Sequence, residues 1–144
     1  MFISDVLGSK SAVVVKAFTT DSVGDAVRKL AQHKIGALVV EDAFMHPTGI
    51  FSERDFINAV AKSGEKVLDT TVQQWMSSPI VSCRPSDRID AALGLMTMRR
   101  IRHLPVMEGE TLRGIVSIGD LIKHRLDEKE LEANVLLELA RRRS

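Results

Sequence analysis

The sequence predicts an α+β, sandwich-like body built from two pseudo-twofold-related units, with a C-terminal helical extension. Three observations carry this. First, the chain repeats itself: 21–40 (DSVGDAVRKLAQHKIGALVV) aligns with 87–106 (DRIDAALGLMTMRRIRHLPV) at an offset of 66, and 49–58 (GIFSERDFIN) aligns with 114–123 (GIVSIGDLIK) at an offset of 65. Ten of these thirty paired positions are identical, and the one deletion lies in the loop before the glycine, where length changes are tolerated. Second, short β-rich runs alternate with segments of helical periodicity inside each copy. Third, 120–143 contains neither Gly nor Pro, so one helix can run well past the end of the repeat.

Each unit reads as strand, helix, strand, strand, helix. In the first, 12–18 (AVVVKAF) is apolar and β-branched, as a buried strand requires. A helix follows, with Thr20 or Asp21 as its cap and Val23, Ala26, Val27 and Leu30 as its apolar stripe. Segments 36–41 and 48–52 read as strands joined through Pro47. Segment 53–62 reads as a helix stopped by Gly64. In the second unit, 79–83 (PIVSC) reads as a strand. Ser86 is the expected cap of a helix carrying Ile89, Ala92, Leu93 and Met96. The strands HLPVM and LRGIVS turn at Glu108 and Gly109, and a last helix starts near Ile118. Residues 62–71 read as a short polar linker. The division is 1–66, 67–126 and an extension 127–144. A unit of about sixty residues is marginal alone, so the two are expected to share one core with a cleft on each side of their junction.

Composition narrows the function. The 144 residues carry 20 Lys and Arg against 19 Asp and Glu, a formal charge of +1. No strong field points to nucleic acid or to a membrane surface. There is no Tyr, one Trp and five Phe, too few rings for a protein that stacks bases. The lone cysteine, Cys83, cannot form an internal disulfide and reads as a small buried hydrophobe. No apolar run reaches membrane-span length, and MFISDVLGSK lacks the pattern of a signal peptide, so a cytoplasmic protein is expected. The four histidines show no metal-ligand spacing. Phosphate loops, dinucleotide fingerprints and nucleophile elbows are also absent, and an enzyme is not expected. Trp75 and Met96 read as packing residues.

The chemistry-bearing feature is a doubled G-h-h-S-x-x-D, where h is apolar: GIFSERD at 49–55 and GIVSIGD at 114–120. In each, a strand ends and a helix begins at the serine. Ser52 and Ser117 therefore stand beside free backbone N–H groups and the positive end of a helix dipole, a natural anion site. Asp55 and Asp120, one helical turn on, can accept two hydrogen bonds from a cis-diol such as that of ribose. A serine cap with an acid three residues later is also ordinary helix capping, and both readings stand.

With TTDSVGDAV, KIGALVV and GIFSERDFI in one copy, and CRPSDRIDAAL, RIRHLPVM and GIVSIGDLI in the other, the chain resembles a tandem pair of CBS (cystathionine-β-synthase) domains, the Bateman module. The pattern also includes an apolar segment ending in Met before each first strand, echoed by VQQWM at 72–76 and more loosely by ISDVL at 3–7. The resemblance covers roughly 5–126. It implies a stand-alone regulatory module that binds an adenine nucleotide (AMP, ADP, ATP or NAD) between the units and acts on a regulated partner protein. The alternative is a ligand-free interaction module that forms a homodimer or scaffolds an enzyme. By that resemblance, one site combines Ser117, Gly119 and Asp120 with Val13, Val15, Gly36 and Ala37. The other combines Ser52, Arg54 and Asp55 with Ile80, Ser82, Arg102 and His103. Lys10 is a further candidate phosphate contact, and the Ser117/Asp120 site carries the greater expectation because Gly119 leaves room for a ligand. Arg99 and Arg100 read instead as a solvated helix end.

The tail repeats Leu131, Val135 and Leu139 every four residues, with Leu136 adjacent. That stripe either packs back on the body or meets a homodimer partner.

Overall fold

A computed structural model of the chain describes residues 1–8 and 14–143. Helix α1 spans Ile3–Gly8. The first unit has strands β1 (Lys16–Phe18), β2 (Ala37–Glu41) and β3 (Pro47–Ser52), with helix α2 (Val23–His33) between β1 and β2 and helix α3 (Glu53–Ser63) after β3. Its sheet order is β1-β2-β3, with β1 parallel and β3 antiparallel to β2. The second unit has helix α4 (Ile89–Arg99), an antiparallel pair β4 (His103–Glu108) and β5 (Thr111–Ser117), and helix α5 (Ile118–Arg143).

The repeat is visible in small devices. Lys34 and Arg100 both take left-handed backbone, φ 53° and 55°, as the C-caps of α2 and α4. The ladders shift register at Val40/Glu41 and again at Val106/Met107. Asp21 Oδ2 accepts from Phe18 N, and Asp87 Oδ2 from Arg84 N, each at 2.8 Å. These aspartates bend the chain before the helix instead of capping it. The cap of α2 is Ser22, which accepts from Asp25 N at 3.0 Å, and not Thr20 or Asp21. At α4 the cap position falls to Arg88, not Ser86, and no side chain caps that helix.

The expected strand at 79–83 does not form. Only Cys83 bridges β4, donating to Pro105 O at 3.0 Å and accepting from Met107 N at 2.8 Å. A parallel ladder running back to Val81 would next need the N–H of residue 105, which proline lacks. In the first unit Val39 stands where Pro105 stands in the second, and the ladder runs through Lys16–Phe18. Even there Val14 and Val15, which the apolar run 12–18 predicts as strand, lie outside β1.

The buried apolar residues separate into two clusters, one per unit, and not one shared core. Their membership crosses the sequence repeat. Ile3 and Val6 of α1 belong to the second unit's cluster, with Cys83, Met96, Leu104 and Leu121. Val67 and Val72 belong to the first, with Phe51 and Leu38. The linker is therefore not simply polar: a 3-10 turn, Gly64–Asp69, buries Val67 completely. The units hold together by exchanging their leading segments. The glycine that opens each motif lies against the exchanged segment. A Cβ on Gly49 would lie 2.8 Å from Ser77 O, and one on Gly114 would lie 2.7 Å from Leu7 Cδ2. Half-buried Trp75 packs against the first cluster and donates from Nε1 to Thr70 Oγ1 at 2.9 Å.

Candidate functional site in the inter-unit cleft

The two strand–helix corners form alike. Ser52 is extended, φ −118°, and ends β3. Its Oγ accepts from Asp55 N at 3.3 Å, while Asp55 Oδ2 accepts from Ser52 N at 2.9 Å. Ser52 Oγ also donates to Asp55 Oδ2 at 3.1 Å. In the second unit Asp120 N donates to Ser117 Oγ at 3.1 Å and Ser117 N to Asp120 Oδ2 at 2.9 Å. Glu53 N donates to Gly36 O at 3.0 Å, and Ile118 N to Arg102 O at 2.8 Å, so each helix start is also tied to its unit's middle strand region. Both motifs are thus reciprocal capping boxes. One carboxylate oxygen closes each corner. At Asp55, Oδ1 accepts from Ser77 Oγ at 2.9 Å.

A cleft of about 480 Å³ opens beside the first corner. That volume lies in the range of small-molecule sites, about 300–1,000 Å³. The first unit lines it with Gly36, Ile50, Ser52, Glu53, Arg54, Asp55 and Ile57. Ser77, Pro79, Val81, Arg100, Ile101, Arg102 and His103 line the other wall. Apolar side chains alternate with charges, which suits a flat apolar group carrying an anionic tail. Arg54 Nη1 donates to Arg100 O at 3.2 Å, crossing from one unit to the other. A Cβ on Gly36 would lie 3.1 Å from His103 Nε2, so the imidazole packs directly over this glycine.

Of the residues expected to form sites, Ser52, Arg54, Asp55, Arg102 and His103 come together in this cleft. Gly36 joins them, although it was expected opposite Asp120. Ile80 and Ser82 flank the lining, while Pro79 and Val81 face the cleft, a one-residue change of face on an extended segment. Ala37 is buried within β2 and Val15 is half-buried. Ser117, Gly119 and Asp120 stand at the second corner, outside this cleft. Lys10 and Val13 lie outside the described residues. Sequence reasoning missed Ser77, Ile50 and Ile57. It also read Arg100 as a solvated helix end, but Arg100 lines the cleft. No local signal marks Ser77, because only the exchange of leading segments brings it to Asp55.

Cys83 is buried, and burial first and Asp87 second push its thiol up from an ordinary 9.0 to about 12. It is a poor nucleophile at neutral pH. Among the described residues no cluster of His, Cys, Asp and Glu has metal-site geometry, and no helix is long and apolar enough to cross a membrane.

The pattern of the CBS domain matches this chain twice, over residues 3–62 and 72–127. The chain belongs to the CBS-domain family. A CBS-domain-containing protein of Agrobacterium tumefaciens shares 42% identity and a TM-score of 0.83, over 86% of this chain and 92% of that one. The mitochondrial CBS domain-containing protein CBSX3 of Arabidopsis thaliana is 34% identical over 92% of this chain and 71% of its own length. The CBS domain pair of protein MJ0100, solved with 5′-methylthioadenosine and S-adenosyl-L-methionine, has the same fold. Its TM-score is 0.77 at 22% identity, covering 90% of this chain and 98% of that pair.

Proposed function

We propose that this CBS pair is a regulatory binding module, not an enzyme, that takes an adenine nucleotide (AMP, ADP, ATP or NAD) into the inter-unit cleft and signals occupancy to a partner protein. The observation that carries the reading is the composition of the cleft wall: a Ser–Asp corner from one unit faces Arg100, Arg102 and His103 from the other. A ribose diol fits the Asp55 carboxylate, a phosphate fits the arginines, and the base fits the apolar strip of Ile50, Ile57 and Val81. A ligand touching both walls biases the packing of the units by its differential affinity for their arrangements. The adenosine-type ligands held by the MJ0100 pair support this class of ligand. The lone, buried thiol is compatible with a cytoplasmic setting.

The second reading is a ligand-free interaction module. One observation favours it: both Ser–Asp pairs are already closed as capping boxes, so the motif is explained without a ligand. Thermal unfolding with AMP, ATP or NAD at 1 mM separates the two. A ligand with Kd of about 10 μM adds about 2.7 kcal/mol of stability. Under the first reading Asp55→Ala abolishes that shift. A shift that survives Asp55→Ala but not Asp120→Ala moves the site to the second corner. No shift with any of the three leaves the interaction module.

A further inference from the structure

The carboxylate of Asp55 is largely committed before any ligand arrives. A carboxylate offers about four acceptor positions, two on each oxygen. Oδ2 accepts from Ser52 N at 2.9 Å and from Ser52 Oγ at 3.1 Å. Oδ1 accepts from Ser77 Oγ at 2.9 Å. A single position is left, on Oδ1, whereas a cis-diol has two hydroxyl protons to place. Ser77 itself supplies the second acceptor. Its hydroxyl spends its proton on Asp55 and keeps two lone pairs. Both residues line the cleft.

The backbone holds Ser77 at this place. Ile50 N donates to Ser77 O at 3.0 Å and Ser77 N to Ile50 O at 2.8 Å, so the serine is a rung on the outer edge of β3. Ser77 Oγ and Asp55 Oδ1 therefore stand side by side, 2.9 Å apart, a spacing that the two oxygens of a cis-diol match. The repeat shows that the serine is not part of the capping device. Leu7 lies against Gly114 as Met76 lies against Gly49, and the residue that follows is Gly8 in one leading segment and Ser77 in the other. Asp120 closes its corner with no serine at that place. We infer that Ser77 and Asp55 read a ribose diol together, one hydroxyl each. The cleft then takes nucleotides whose 2′ and 3′ hydroxyls are both free and discriminates against those deoxygenated or phosphorylated there. A phosphate at either place removes a donor and sets an anion against Asp55. The inference rests on the nucleotide reading and adds to it a second reading residue and a limit on the ligand.

Titration calorimetry of the full chain with AMP and ATP, and with the 2′-deoxy and 3′-deoxy forms of each, tests it. The unaltered chain binds the ribonucleotide about tenfold more tightly than either deoxy form, the worth of one hydrogen bond in a closed site. Ser77→Ala binds the ribonucleotide about fivefold less tightly. It also stops distinguishing the ribonucleotide from one of the two deoxy forms. It still discriminates against the other, whose missing hydroxyl is the one that Asp55 accepts. Ser77→Thr, which keeps a hydroxyl, keeps both discriminations. A single cooperative unfolding transition shows that Ser77→Ala is folded. Equal binding of ribo and deoxy forms by the unaltered chain overturns the inference and leaves the nucleotide reading standing. So does a Ser77→Ala chain that binds the ribonucleotide more tightly, or that loses both discriminations or neither. Binding of no nucleotide overturns both.

Discussion

The corners at Ser52/Asp55 and Ser117/Asp120 share one backbone design and differ in what surrounds them. Each is a strand end, a serine cap and an acid one turn on, with matching hydrogen bonds. At the first corner the helix begins with Glu53 and Arg54, and Ser77 reaches the free oxygen of Asp55. At the second it begins with Ile118 and Gly119, and a Cβ on Gly119 would meet nothing closer than Ser117 Oγ at 3.6 Å. The second unit gives the first corner's cleft its arginine-rich wall, with Arg102 at the repeat position of Gly36 and His103 at that of Ala37. A local motif of seven residues thus builds a helix start. What that start can bind is decided by the residues brought from the opposite unit.

The same comparison can be pressed on the cores. Phe51 and Val116 occupy equivalent places, and both are fully buried. Phe51→Ala is expected to cost about 4 kcal/mol, and Val116→Ala about 2, because the smaller side chain leaves a smaller cavity. Urea unfolding of each variant checks this. Equal costs would show that the size of the cavity does not set the difference between the two clusters.

The exchanged segments offer a sharper contrast. At Gly49 an added methyl meets the backbone carbonyl of Ser77, which cannot turn aside. At Gly114 it meets a terminal methyl of Leu7, which can rotate. Gly49→Ala is therefore expected to destabilise by about 2–3 kcal/mol and Gly114→Ala by about 1 kcal/mol or less. Thermal unfolding of the two variants gives the order, and the reverse order would break the comparison.

The smallest expected difference is at the helix starts. Ser22→Ala removes a cap hydrogen bond and is expected to cost about 1 kcal/mol. Arg88→Ala removes no cap, only the guanidinium that lies 5.7 Å from the centroid of the Phe2 ring, and is expected to cost about 0.5 kcal/mol. Chemical denaturation of both variants under one buffer resolves the difference.

Much of this was legible in the chain. The offset of 66 located both units, and the turn from Ser52 into α3 was written in the spacing of Ser and Asp. Pro105 was also in plain view, yet its effect was not. A missing N–H matters only when one knows that Cys83 and Val81 lie beside β4. The two glycines were legible as motif residues but not as seats for Leu7 and Met76, since nothing local says that each leading segment crosses to the other unit. We propose on that ground that 1–66 and 67–126 are repeat units and not independently folding ones.

By itself, then, the sequence determined the repeat, the starts of α3 and α5, the buried stripes and the long terminal helix. These follow from periodicity and capping, which act over a few residues. The tertiary structure alone decided which wall faces which corner, that Ser77 and Arg100 join Asp55, and that the stripe on α5 stays uncovered. Those outcomes depend on contacts between residues far apart in the chain, and no local pattern encodes them.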